Sequence, residues 1–195
     1  MYLAHYVTFS RIVLIPLFPL IYLQYQRFHI PSLYVPYILL FIMGICQVTD
    51  LIDGFVARKR NEVSDFGKVI DPMADSIMNL SIYLTFTAGW VQIPILLVFV
   101  FFYREFFIST LRTICALKGM ALGARKSGKI KTFLNAVVEF FIVILMIPYT
   151  MGFISLDTLQ NISVCAVSIA AIYTVLTMVD YIYANRTYLK KALLG

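Results

Sequence analysis

Apolar runs close to or beyond twenty residues recur along this chain, and that length restricts its fold more than any other feature. A helix needs about 20 consecutive apolar residues to cross the hydrocarbon core of a bilayer, and globular strands and core helices are usually shorter. Six spans are expected, at residues 12–25, 34–57, 67–90, 93–117, 130–151 and 159–184. In lipid every backbone polar group must be satisfied within the spanning element, so the segments are read as helices. A composition of 61% hydrophobic and 13% charged residues agrees, since soluble domains carry roughly 25% charged residues. The expected fold is an all-α integral membrane protein with six transmembrane helices, residues 1–195 forming a single membrane domain. The first run is short, which makes residues 1–10 a candidate interfacial segment. It follows Arg11 and lacks a small-residue cleavage site, so it is read as a retained span. Residues 185–195 read as a basic tail.

The formal charge of +6 comes from basic residues in short segments between the apolar runs. That placement argues for membrane topology and anionic head groups, and against nucleic acid. With six spans, Arg11, the Arg58–Arg60 cluster, Lys68, Lys118, Arg125 to Lys131, Arg186, Lys190 and Lys191 share one side. The other side holds Arg27. Positive residues are retained in the cytoplasm, so both termini are expected there. Cys46, Cys115 and Cys165 lie in apolar runs without metal-binding spacing and read as small buried residues.

Acidic residues are concentrated at one place. Asp50 and Asp53 are three apart near the cytoplasmic end of the second segment, and Asp71 and Asp75 are four apart at the start of the third. Each pair shares a helix face, and two adjacent antiparallel helices would bring all four to one depth. Like charges near hydrocarbon need a cation or shared protons to coexist, and an all-carboxylate set suits hard divalent ions such as Mg²⁺. Pairing with Arg58, Lys59, Arg60 and Lys68 would account for the charge but not for Gly54, Ala57 and Gly67. Small-residue helix packing would account for the glycines but not the acids.

Residues 50–75 also fit the pattern DxxDGxxAR, eight residues, GxxxDxxxD, which resembles the signature of the CDP-alcohol phosphotransferase family. The resemblance implies a six-span membrane enzyme, usually a homodimer, in a bacterial cytoplasmic membrane with its site facing the cytoplasm. Such an enzyme transfers a substituted phosphoryl group from a CDP-linked donor to an alcohol and releases CMP. By the same resemblance Asp50, Asp53, Asp71 and Asp75 hold two divalent ions, Mg²⁺ or Mn²⁺, and Asp75 is the general base. Gly54, Ala57 and Gly67 would make room for the CDP-lipid, and Arg58 would contact its phosphates.

A second constellation is basic. Arg104 and Arg112 are eight apart in the fourth segment, within roughly 80° of each other around a helix, so they can serve one pocket. Glu105 is expected to point elsewhere. Lys129 and Lys131 begin the fifth segment. Bidentate arginines with lysine point charges suit a phosphate on the acceptor alcohol. REFFISTLR followed by GKIKT resembles the phosphatidylglycerophosphate synthase branch of the family, which implies CDP-diacylglycerol as donor and sn-glycerol 3-phosphate as acceptor. That resemblance extends from VTFSR at residues 7–11 to the end of the fifth segment, and residues 157–195 read as a generic apolar helix with a basic tail. The chain departs from the branch pattern at His5, Arg125 and Asn135.

Other readings remain open. Within the family the acceptor could be inositol phosphate, serine or phosphatidylglycerol, although a zwitterion such as serine would not call for so many cations. An ion-coupled transporter would place acids near mid-span on several helices and show repeated halves. Intramembrane prenyltransferases use paired aspartate motifs of different spacing.

Overall fold

The computed structural model describes the backbone of residues 13–59, 65–117 and 126–194, and side chains within 13–49, 73–115 and 126–186. Among the described residues six α-helices follow in order: α1 Leu17–Gln24, α2 Val35–Lys59, α3 Asp65–Thr85, α4 Ile95–Leu117, α5 Lys126–Thr150 and α6 Leu156–Leu194. A 3-10 turn at Ser32–Tyr34 leads into α2. Among the described residues three stretches are long and apolar enough to cross a bilayer: Ser32–Thr49, Lys126–Thr150 and Leu156–Arg186. The 23-residue α4 has the length as well, but Arg104, Glu105 and Arg112 interrupt its apolar run. Large side chains such as Leu96, Phe133, Ile169 and Leu176 are exposed along the bundle. Exposed apolar surface on this scale suits contact with acyl chains. The chain is an integral membrane protein.

Contacts at one end of the bundle establish how the helices alternate. Tyr22 of α1 packs edge-on against Trp90, which also meets Tyr25 and Tyr149 with ring centroids 5.2 and 5.6 Å away. Gln160, early in α6, donates to the Trp90 carbonyl at 3.1 Å. The C-terminal ends of α1, α3 and α5 and the start of α6 therefore gather here, on the side that carries Arg27. Tyrosine and tryptophan rings suit the membrane–water boundary, where an apolar body meets a polar tip. The opposite end holds the end of α2, the start of α3, the end of α4, the start of α5 and the later part of α6.

The third segment was expected to run to residue 90, but α3 stops at Thr85. In the turn beyond that end Gly89 adopts φ +68°, a left-handed conformation, and a Cβ there would lie 2.7 Å from the Tyr22 ring. Glycine is the residue that tolerates both conditions. The Tyr22 hydroxyl accepts from the backbone N–H groups of Trp90 and Val91 at 2.8 and 3.0 Å and donates to the Ala88 carbonyl at 3.3 Å. One tyrosine thus supplies partners that the broken helix would otherwise lack.

Helical stripes build the core. Met43 and Cys46 of α2 and Met78 and Ile82 of α3 line one small apolar cavity beside Ile15 and Phe18. Tyr83 of α3 stacks on Phe101 of α4 at 4.4 Å. On α6, Val167, Ala170 and Ala171 are buried, small side chains that let neighbouring helices approach closely. Cys46 and Cys115 are buried as expected, whereas Cys165 is exposed, because it falls on an outward face of α6. That helix also continues unbroken past residue 184, the expected end of the last segment, to Leu194. Pro148 lies in the final turn of α5, which closes two residues later at Thr150.

Candidate active site

The acid-bearing stretches of α2 and α3 lie toward the end opposite the aromatic cluster. Cys46 and Met78 line the same cavity from α2 and α3, and they provide a common reference level. Asp50 is four residues beyond Cys46 and Asp75 three before Met78, advances of about 6 and 4.5 Å at ~1.5 Å per residue. Asp53 and Asp71 each lie seven residues from their reference, about 10.5 Å further along. Because the helices run antiparallel, both pairs advance toward the same end. Asp75 is half-buried. The side chains of Asp50, Asp53, Gly54, Ala57, Arg58, Gly67 and Asp71 lie outside the described residues, as do His5 and Arg125. Among the described residues no cluster of three or more His, Cys, Asp and Glu is placed to hold a metal.

The basic constellation is better defined, and its centre is an acid. Glu105 does not point away from Arg104. Its Oε1 accepts from Arg104 Nη1 at 3.1 Å and from Lys131 Nζ of α5, and its Oε2 accepts from Ser76 Oγ of α3 at 3.2 Å. Adjacent positions diverge by about 100° around a helix at Cα, but two long side chains can bend toward each other across that angle. The drive to do so is strong here, since a carboxylate 17% exposed and cations 8% and 4% exposed would otherwise lack compensation. Ser76 directly follows Asp75, so this network joins the two cations to the turn of α3 that carries the expected base.

Arg112 takes a different partner. Its Nε donates to the Tyr181 hydroxyl at 3.3 Å, and its guanidinium sits 5.3 Å from the centroid of that ring. Next to it in sequence, Asp180 accepts a 2.6 Å hydrogen bond from Ser127 Oγ at the start of α5. The last segment is therefore more than a generic apolar helix. Through Asp180 and Tyr181, α6 holds both the first turn of α5 and the second arginine. Lys129 is exposed on that turn.

Of the expected acceptor residues, the structure joins Arg104 and Lys131 through Glu105 and anchors Arg112 on α6. Asn135 and Glu139 continue the Lys131 face of α5 at intervals of four residues, and all three are buried. The Asn135 carbonyl accepts from Tyr83 at 3.5 Å. Sequence reasoning turned Glu105 away from the site and passed over Glu139 and Asp180, although each is an ionisable residue within an apolar run, the usual mark of an internal polar site.

Comparison with known proteins bears directly on this arrangement. The sequence profile described as CDP-alcohol phosphatidyltransferase matches residues 1–179. The chain belongs to the CDP-alcohol phosphatidyltransferase family. Membership makes it an enzyme of the phosphatidyltransferase class, and residues 1–179 take in both acidic helices and the cationic network. A Rickettsia typhi protein named CDP-diacylglycerol–glycerol-3-phosphate 3-phosphatidyltransferase is 33% identical over 188 residues, covering 95% of this chain and 98% of its own length. A Bacillus subtilis protein of the same name is 31% identical over 196 residues, covering 96% of this chain and 97% of itself. A third so named, from Sodalis glossinidius, is 30% identical over 187 residues, or 93% of each chain.

Proposed function

We propose that the protein transfers the phosphatidyl group of CDP-diacylglycerol to sn-glycerol 3-phosphate, giving phosphatidylglycerol phosphate and CMP. The observation that carries this reading is the Ser76–Glu105–Lys131 network, which sets two cations beside the turn of Asp75. An acceptor phosphate held by Arg104 and Lys131 would bring its alcohol to the acidic end of α3. The names of the bacterial relatives support the same donor and acceptor.

In the reaction the acceptor hydroxyl oxygen bonds to the phosphatidyl phosphorus, the phosphorus–oxygen bond to CMP breaks, and CMP leaves with the bond's electrons. Asp75 takes the hydroxyl proton, and Arg112 steadies the acceptor from the α6 side. Arg58, with Gly54, Ala57 and Gly67, receives the CDP portion. Four aspartates on two adjacent helices form an all-oxygen donor set of high negative charge, which fits hard divalent cations. Asp50, Asp53, Asp71 and Asp75 would hold two such ions, Mg²⁺ or Mn²⁺, whose chemistry when bound is to neutralise charge on the diphosphate and on departing CMP.

The proposed topology has six spans, with both termini and the site on the cytoplasmic side, supported by the positive-inside count and by the gathering of helix ends opposite the Arg27 side. A homodimer is the proposed assembly. The test is CMP release from CDP-diacylglycerol by purified protein, with glycerol 3-phosphate, inositol phosphate, serine and phosphatidylglycerol offered in parallel. Turnover confined to an acceptor other than glycerol 3-phosphate overturns the assignment.

A further inference from the structure

We infer that Glu105 is a positioning residue for acceptor recognition: its carboxylate presets Lys131 and Arg104 to receive the acceptor's phosphate and ties them to the helix turn that carries Asp75. The inference rests on the acceptor-phosphate reading of those two cations and deepens it. Glu105 occupies an unusual place, because one carboxylate gathers donors from three helices. Oε1 holds both cations, and Oε2 holds the Ser76 hydroxyl.

The cations keep donors to spare. An ammonium has three N–H groups and a guanidinium five, and Glu105 engages one on each. Arg104 Nε is buried without a hydrogen-bond partner among the described residues, and Nη2 lies by Gly128, 3.9 Å from where a Cβ would stand. Two cations share the Glu105 carboxylate, and the unfilled donors on Arg104 suit a bound anion. A phosphate supplies both the charge and the acceptor oxygens, while Glu105 keeps the two basic side chains from seeking other partners in the meantime. Fixing long, rotamer-rich side chains before binding reduces the ordering cost that the ligand would otherwise bear.

The carboxylate is also a like charge near the incoming phosphate. If repulsion dominated, removing it would tighten acceptor binding; if positioning dominates, removing it weakens binding. The network geometry assigns the second outcome, because both of the carboxylate's oxygens are already engaged by donors that it orients.

The experiment measures CMP release by the full-length protein in detergent micelles for wild type, Glu105→Gln and Glu105→Asp, varying glycerol 3-phosphate and CDP-diacylglycerol separately. Glu105→Gln is expected to raise KM for glycerol 3-phosphate about ten-fold or more while KM for CDP-diacylglycerol moves less than about two-fold. Glu105→Asp restores the charge on a shorter arm and should fall between Gln and wild type. An unchanged or lowered KM for glycerol 3-phosphate in Glu105→Gln, or an equal rise for both substrates, overturns the inference. A merely structural role would lower thermal stability and kcat without that split. Should Glu105→Gln not be recovered folded, Glu105→Asp carries the same decision through its own KM split. Wild-type turnover on inositol phosphate in place of glycerol 3-phosphate would sink the acceptor assignment alone, and Glu105 is then judged on that acceptor. Turnover on serine alone would remove both.

Discussion

Glu105 of α4 and Lys131 of α5 form an ion pair inside the bundle, with side chains 17% and 4% exposed. Such a pair is costly to break from one side, because the remaining charge stays buried without its partner. Lys131→Met should therefore destabilise the protein by about 2 kcal/mol, below the ~3–5 typical of a fully buried pair, since Arg104 still faces the carboxylate. Thermal unfolding in detergent would show this as a lowered midpoint. Adding Glu105→Gln to that variant should recover part of the loss, and strict additivity of the two changes would speak against direct coupling.

Asp75→Asn and Asp71→Asn test the acidic end of α3. A positioned general base contributes roughly 10²–10⁴-fold, so Asp75→Asn should lower CMP release by at least that range while the protein still elutes as a folded species from size-exclusion chromatography. Asp71→Asn should do the same through loss of cation binding. Wild-type turnover in either variant would remove the role assigned to that residue.

Metal removal separates a cation site from a set of salt bridges. Chelation with EDTA should abolish CMP release, and added Mg²⁺ or Mn²⁺ should restore it. If the aspartates served only as partners for Arg58, Lys59, Arg60 and Lys68, activity would survive the chelator.

Arg112 stacks on Tyr181 and hydrogen-bonds its hydroxyl, an arrangement that depends on a planar guanidinium. Arg112→Ala should raise KM for glycerol 3-phosphate far more than KM for CDP-diacylglycerol, and Arg112→Lys should rescue little of it. Equal increases for the two substrates would move Arg112 out of the acceptor pocket.

Gly89 and Tyr22 make a structural test remote from the chemistry. Gly89→Ala would force a side chain into positive φ and against the tyrosine ring, a loss of about 1–3 kcal/mol. Tyr22→Phe would strip partners from the Trp90 and Val91 N–H groups, again about 1–3 kcal/mol. Both should lower the unfolding midpoint while KM for glycerol 3-phosphate stays at the wild-type value in membranes kept below that temperature.

What the sequence determined by itself was whatever depends on local pattern. Run length marked an all-helical membrane protein, while the positions of Lys and Arg and the spacing of Asp50, Asp53, Asp71 and Asp75 gave expectations for the two ends and for the acidic site. Each of these follows from rise per residue and from the cost of charge in lipid, so no partner helix need be known. The boundary at Thr85 was not legible, because the chain there remains apolar to Trp90 and only the Tyr22 ring against Gly89 reveals the break. Packing alone decided the pairing of the basic site. Arg, Lys and Glu reach several ångströms from their own helices, and their partners depend on which neighbour stands within that reach. Glu105 could therefore be read as facing away until α5 brought Lys131 to it, and α6 showed no function until Asp180 and Tyr181 met Ser127 and Arg112.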